Sequence, residues 1–329
     1  FLPASWRAWA FTILSLLGVG FMLGEPQQPW RVWDPDVAFS SAAIVGGLGL
    51  LLIGICLLRI GFWQRATLLV LAAVGIGVLR ARSHGFAVER AGYVLAALFM
   101  TRTMIFLYDV STWRRPTFRE AVSYFFLAPN AGPYNFPNLD FKTFCRSHYA
   151  ADALMIYQRG VRWMARGILQ LVILDWSARH VAIRLDAVQT GRDIIQYLLS
   201  NYLSYLQISG TAHLAIGILL LFGFNLPETH HRYVLASSFT DFWRRVNIYW
   251  KDFMQKVFYM PTFFHLRKFG HERALVLATA WVFVVSWAIH LWGTWWLTLN
   301  PRLTLSNTIF WASIGTFVVI NVVWEHRRG

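Results

Sequence analysis

The chain has 329 residues, of which 57% are apolar and only 14% charged, and 30 Lys and Arg outweigh 16 Asp and Glu for a net charge of +14. Several apolar runs are long enough to cross a bilayer, which excludes a water-soluble domain and points to an all-α, polytopic membrane protein. The basic excess sits mostly in short loops between those runs, where topology and anionic lipid headgroups account for it and nucleic acid does not.

The first apolar run, Trp9 to Leu23, leaves through Gly24, Glu25 and Pro26, and no cleavable-signal pattern is read before it; the start at Phe1 without Met suggests a trimmed numbering. A second run, Val37 to Leu58, ends at Arg59 and Arg65, which places that loop on the cytoplasmic side. The third, Thr67 to Leu79, is about 13 residues, short of the roughly 17 a span needs. A fourth, Gly92 to Val110, carries Arg102 and Asp109 two helical turns apart, expected as a buried structural pair, with contact of Arg102 to an anionic group as the alternative. From Tyr124 the chain packs Pro129, Gly132, Pro133 and Pro137 together, which breaks any helix and predicts a loop that re-enters the protein or caps a cavity. Tyr149 to Ala165 reads as an amphipathic helix lying at the cytoplasmic interface. Further runs follow at Ile168–Leu174, Ile194–Ile208, Leu214–Phe224, Ala274–Leu299 and Thr308–Trp324, giving about eight to eleven membrane segments. We read one domain over 1–329, with peripheral helices at 1–120, a core at 121–299 and a last span at 300–329.

Within Ala274–Leu299 the only ionisable side chain is His290, and a lone imidazole at membrane depth is a functional candidate, with a helix-interface hydrogen bond as the plain alternative. Arg244 and Arg245, with Lys251 and Lys256 nearby, form a basic cluster beside aromatic residues, suited either to phosphate or to anionic lipid. His213 reads as a packed polar residue. His230 with His231, and Cys145 with His148, lack further partners at zinc spacing, and Cys56 and Cys145 supply no disulfide framework, so no metal site is expected. No phosphate-binding Gly-rich loop and no nucleophile elbow is present, which sets aside an ATP-driven pump and a serine hydrolase.

The ordered series FFLAPNAGP at Phe125–Pro133, SGTAHLAIG at Ser209–Gly217, GFNLPE at Gly223–Glu228, ASSFTDFWRRVNIYW at Ala236–Trp250 and the buried His290 resembles the membrane-bound O-acyltransferase family. Within it the similarity is to the bacterial branch of alginate O-acetyltransferases and teichoic acid D-alanyl transferases, over about Tyr124 to Gly293. There are departures. Asn247 stands where that branch has a histidine, Ala212 and His213 stand where it often has Ser-Asp, and His290 lacks the usual Trp-His-Gly setting.

The resemblance implies a tunnel through a helical bundle in which a thioester donor meets an acceptor hydroxyl near mid-membrane. A general base must take the hydroxyl proton, for which a near-neutral imidazole suits, and a fixed amide suits the developing oxyanion. His290 and Asn247 are the residues expected in those roles, and Asp241, Trp243, Arg244, Arg245, Tyr249 and Lys251 are expected along the donor site. No permanently bound cofactor is expected; acyl-CoA or an acyl carrier's phosphopantetheine is the donor. Acetyl is the expected acyl group and a cell-surface glycan, glycolipid or lipid the acceptor. Membrane lipids, an acyl carrier protein and a periplasmic transferase are the expected partners, and a bacterial cytoplasmic membrane the setting. The rival readings are a flippase or transporter of a lipid-linked substrate, with Arg102, Asp109 and His290 as relay groups, and an acyl-relay or silent scaffold subunit. Against the transporter, no repeated halves are seen.

Overall fold

The computed structural model describes residues 4–23, 34–82, 88–89, 91–92, 95, 101–126, 139–299 and 304–328. Helices account for the regular structure of these residues, and the protein is an all-α polytopic membrane protein. By length and apolar composition, five described stretches can cross a bilayer: 35–57, 62–82, 191–221, 271–296 and 305–328. The Pro-rich stretch at 127–138, predicted to re-enter the protein or cap a cavity, lies outside the described residues, as do 93–94 and 96–100 of the fourth apolar run.

Helix α1 (Ala4–Leu23) packs on α2 (Pro35–Leu57). The second of these starts where Asp34 accepts the amides of Asp36 and Val37 at 3.0 and 3.1 Å, with Pro35 in the first turn. Helix α3 (Phe62–Arg82) corrects the short third run, because the structure extends it at both ends to 21 residues. It can do so because both flanking arginines turn inward: Arg65 donates to the Cys56 carbonyl at 2.8 Å and to Ser111 at 3.0 Å, and Arg80 donates to the Trp296 carbonyl. A guanidinium that finds carbonyls inside the bundle need not mark the end of a span.

Helices α4 (Thr103–Thr112), α5 (Phe118–Phe125) and α6 (Phe141–Ser147) form a short-helix layer around a ring cluster of Phe106, Tyr124, Phe125 and Phe141. The two charges expected to pair go separate ways. Arg102 donates to the Tyr124 carbonyl at 3.0 Å, whereas Asp109 pairs with Lys256 and accepts the Lys142 amide at 3.1 Å. Two turns is about 10 Å of helix, and each charge has a nearer partner on another element.

Helix α7 (Ala153–His180) runs 28 residues, so the predicted interfacial helix and the run after it are one element. It packs along α8 (Gly191–Leu203) and α9 (Tyr205–Leu221), a nearly continuous rod whose break falls at Ser204 instead of at Ser209 and Gly210. Lipid tails are as apolar as leucine, so close packing must hold such a pair. Four glycines supply it. A Cβ added at Gly160 would lie 3.0 Å from the Gly217 carbonyl oxygen, and one at Gly167 would lie 2.7 Å from that of Gly210. Arg159 donates to Asn225 and, at 3.0 Å, to the Leu226 carbonyl, so this charge is spent inside the protein instead of on headgroups.

The last third holds α10 (Phe239–Val246), α11 (Ile248–Met254), a π-helical turn (Gln255–Tyr259), α12 (Met260–Leu266), α13 (His271–Thr298) and α14 (Leu305–Arg328). The two long helices pack together, and Arg327 at the end of α14 pairs with Glu272 at the start of α13 at 2.7 Å. The molecule therefore has one Arg-rich end, where α13 begins and α14 finishes.

Candidate functional site

Asn247 is the break between α10 and α11. Its backbone (φ −156°, ψ 88°) ends α10, and its Oδ1 accepts the Trp250 amide at 3.1 Å to cap α11. The linker 227–231 braces this kink from behind: Ile248 N–H donates to the Thr229 carbonyl at 2.8 Å and His231 N–H to the Arg245 carbonyl at 3.0 Å. The Tyr249 hydroxyl donates to the Pro227 carbonyl at 2.9 Å, and the Tyr205 hydroxyl to that of Val246 at 3.1 Å.

In front of the kink lies a cavity of about 380 Å³, between α10, α11, the π-helical turn, α13 and α14. That is the size of a small-molecule site. Arg244, Lys251 and Glu325 bring charge to it, His326 lines it beside them, Gln255 and Tyr259 enter from the π-helical turn, and Thr279, Val282, Phe283, Val318 and Val322 complete it. A π-helical turn inserts one extra residue and re-aims its neighbours, which is common at functional sites. Here Gln255 and Tyr259 line the cavity, while Lys256 pairs with Asp109 and with Asp140 at 3.3 Å. Burial pushes the Asp140 carboxyl up, but Lys256 and the Thr143 bonds outweigh it and hold the group below its ordinary range.

Of the six residues predicted along the donor site, Trp243, Arg244 and Lys251 line this cavity. The other three hold the frame. Asp241 and Arg245 form a 2.6 Å ion pair one turn apart, and Tyr249 serves the brace described above.

His290 is the twentieth residue of α13 and half-buried. It continues the stripe Leu275, Thr279, Val282, Ser286, at spacings of four, three, four and four, so it faces the same way as the cavity's α13 wall. Its Nδ1 lies 2.7 Å from the Ser286 carbonyl, which can only accept. Nδ1 therefore carries the proton, and Nε2 keeps its lone pair. The ring rests against Trp250 (centroids 5.0 Å, 67°) and Trp311 (4.6 Å, 49°). The indole of Trp250 also donates to Ser286 Oγ at 3.3 Å. Asn247 and His290 thus meet through Trp250, whose amide one holds and whose ring touches the other.

Sequence reasoning missed Trp250, Ser286 and Trp311. Ser286, one turn before His290 in a span without charge, was the legible signal; Trp311 had none, being one of 17 tryptophans.

A second polar cluster lies apart. His213 bonds Gln170 at 2.6 Å and stacks on Trp163 at 4.9 Å, with the His230 ring 5.9 Å away. Burial, with His213 and Arg166 nearby, pushes His230 down to about 3. Among the described residues, no three His, Cys, Asp or Glu side chains converge as a metal site would require.

No family model matches the chain. Two curated proteins are similar to part of it. "Probable alginate O-acetylase AlgI" of Pseudomonas putida is 27% identical over 186 residues, 51% of this chain and 38% of that protein. The protein of the same name from Azotobacter vinelandii is 24% identical over 162 residues, 45% of this chain and 32% of that protein. The matched region therefore spans about a third of the relatives' length. The similarity supports a distant relationship to the membrane-bound O-acyltransferases.

Proposed function

We propose that this protein is a membrane-bound O-acyltransferase that moves an acyl group from a thioester to a hydroxyl, with His290 as general base. The observation that carries this is the Nδ1–H bond from His290 to the Ser286 carbonyl, which leaves Nε2 free on the stripe leading from a basic cavity. The names of the two relatives support the reaction class and favour acetyl.

The step balances without a cofactor. The acceptor oxygen attacks the thioester carbonyl as its proton passes to His290 Nε2. The tetrahedral oxyanion then expels the thiolate, which recovers the proton from the imidazolium, leaving ester and free thiol. With Oδ1 held by the Trp250 amide, the Asn247 side chain keeps its N–H₂ as the donor for the oxyanion or the acceptor. Trp250 and Trp311 make the surroundings of His290 apolar, which disfavours water as the acceptor. The basic residues Arg244 and Lys251 hold the phosphates of coenzyme A or of a carrier's phosphopantetheine. The Arg-rich end is the cytoplasmic face, and the acceptor, a glycan or lipid hydroxyl, approaches from the other side.

Labelled acetyl-CoA given to the purified protein with native lipid and glycan extract tests this. Wild type should release thiol and label an acceptor, and His290→Ala should lose about 10²- to 10⁴-fold of that rate while keeping its thermal unfolding profile. Undiminished transfer by a folded His290→Ala variant would sink the assignment.

A further inference from the structure

Trp311 stands between His290 and a space that the reaction above does not use. One side of its indole meets the imidazole, with centroids 4.6 Å apart. The same residue lines a second cavity, of about 450 Å³, between α13 and α14. That cavity is apolar, built from residues such as Ala280, Val284, Ala312 and Gly315, and Val284 and Ile320 on its rim are half or more exposed on faces that meet lipid. Phe283 lines both cavities, and Trp243 reaches Phe283 at 4.7 Å and Trp311 at 6.1 Å, so three rings form one partition. Trp311, itself 8% exposed, is the part of this partition in contact with His290.

We propose that Trp311 sets the length of the acyl group. A thioester whose carbonyl sits at His290 must place its acyl tail somewhere, and beyond Trp311 the second cavity offers apolar room for a chain. The indole closes that way and leaves room for a short acyl group only. This rests on the acyltransferase reading and adds to it a residue and a direction of selectivity. Each methylene that passes from water into an apolar site favours binding about fourfold, so an opened cavity changes chain-length preference steeply.

The test measures thiol release from acetyl-, butyryl- and octanoyl-CoA, each with the same lipid and glycan extract as acceptor, by wild type, Trp311→Phe, Trp311→Leu and Trp311→Ala. Wild type should favour acetyl, and the octanoyl-to-acetyl ratio of kcat/KM should rise through the series, by tenfold or more in Trp311→Ala. Adding Ala312→Phe to Trp311→Ala refills the cavity and should return the ratio toward wild type. A flat chain-length profile in wild type overturns the proposal even if no variant folds, and so does an unchanged ratio in a folded, acetyl-active variant. If wild type consumes none of the thioesters, the acyltransferase reading falls and takes this one with it.

Discussion

Arg244 and Arg245 are neighbours with different roles. Successive residues on a helix point about 100° apart, so only one of two adjacent arginines on α10 can face the cavity. Arg244 does, and Arg245 lies against Asp241, whose carboxylate also takes the Ser237 amide at 3.1 Å. A charge-assisted hydrogen bond to phosphate contributes about 1.5–3 kcal/mol, which is roughly 10- to 100-fold in binding. Arg244→Ala should therefore raise the donor's KM by about that factor with kcat little changed, as loss of uniform binding does. Arg245→Ala should leave KM within a fewfold of wild type, since a partly exposed ion pair contributes under about 1 kcal/mol to stability. Steady-state kinetics on the two single variants separates them, and equal KM values would remove Arg244 from the donor site.

The seam between α7 and α9 shows what holds helices together where no hydrophobic gradient exists. Gly160 and Gly167 sit seven residues apart on one helix, as do Gly210 and Gly217 on the other, so each pair falls on one face and brings backbone against backbone. The seam matters to the site because α9 leads directly into the linker that braces Asn247. At Gly167 a new Cβ would fall 2.7 Å from a carbonyl oxygen, which cannot rotate away, whereas at Gly46 in α2 nothing lies within 4 Å. Overpacking of this kind costs about 1–3 kcal/mol. Thermal unfolding in one detergent should show Gly167→Ala clearly destabilised. Gly46→Ala should be neutral or slightly stabilised, because alanine is the better helix former. Equal melting temperatures would mean that the seam is not tight.

At the scale of the whole molecule, contacts far apart in sequence agree on two ends. Arg65 with Ser111, Tyr149 with Gly223 and Glu272 with Arg327 join elements at the Arg-rich end, and Arg80 with Trp296 joins them at the other. The loop between α7 and α8, around Gln189, belongs to that second end, and Lys268, just before α13, to the first. An impermeant maleimide applied to oriented vesicles should therefore label Lys268→Cys and Gln189→Cys from opposite faces. Background from the native thiols is low, since Cys56 is buried in α2 and burial raises Cys145 to about 12, which keeps it from forming thiolate. Labelling of both from one face would contradict the arrangement of α7 to α13.

Hydropathy in the sequence alone determined that the chain is an α-helical membrane protein, because a bilayer tests each segment for length and polarity one at a time. The isolation of His290 was equally legible: a single ionisable group in an uncharged run needs no neighbours to be noticed. Charge near a span end misled the reading of α3 and α7, since Arg65, Arg80 and Arg159 are satisfied by carbonyls and side chains that only the folded bundle brings near. The same limit hid Trp311 and the division of Asp241, Trp243, Arg244, Arg245, Tyr249 and Lys251 into cavity wall and brace. Which side of a helix a residue takes, and what stands opposite it, depends on packing between segments distant in sequence, and the tertiary structure alone decided it.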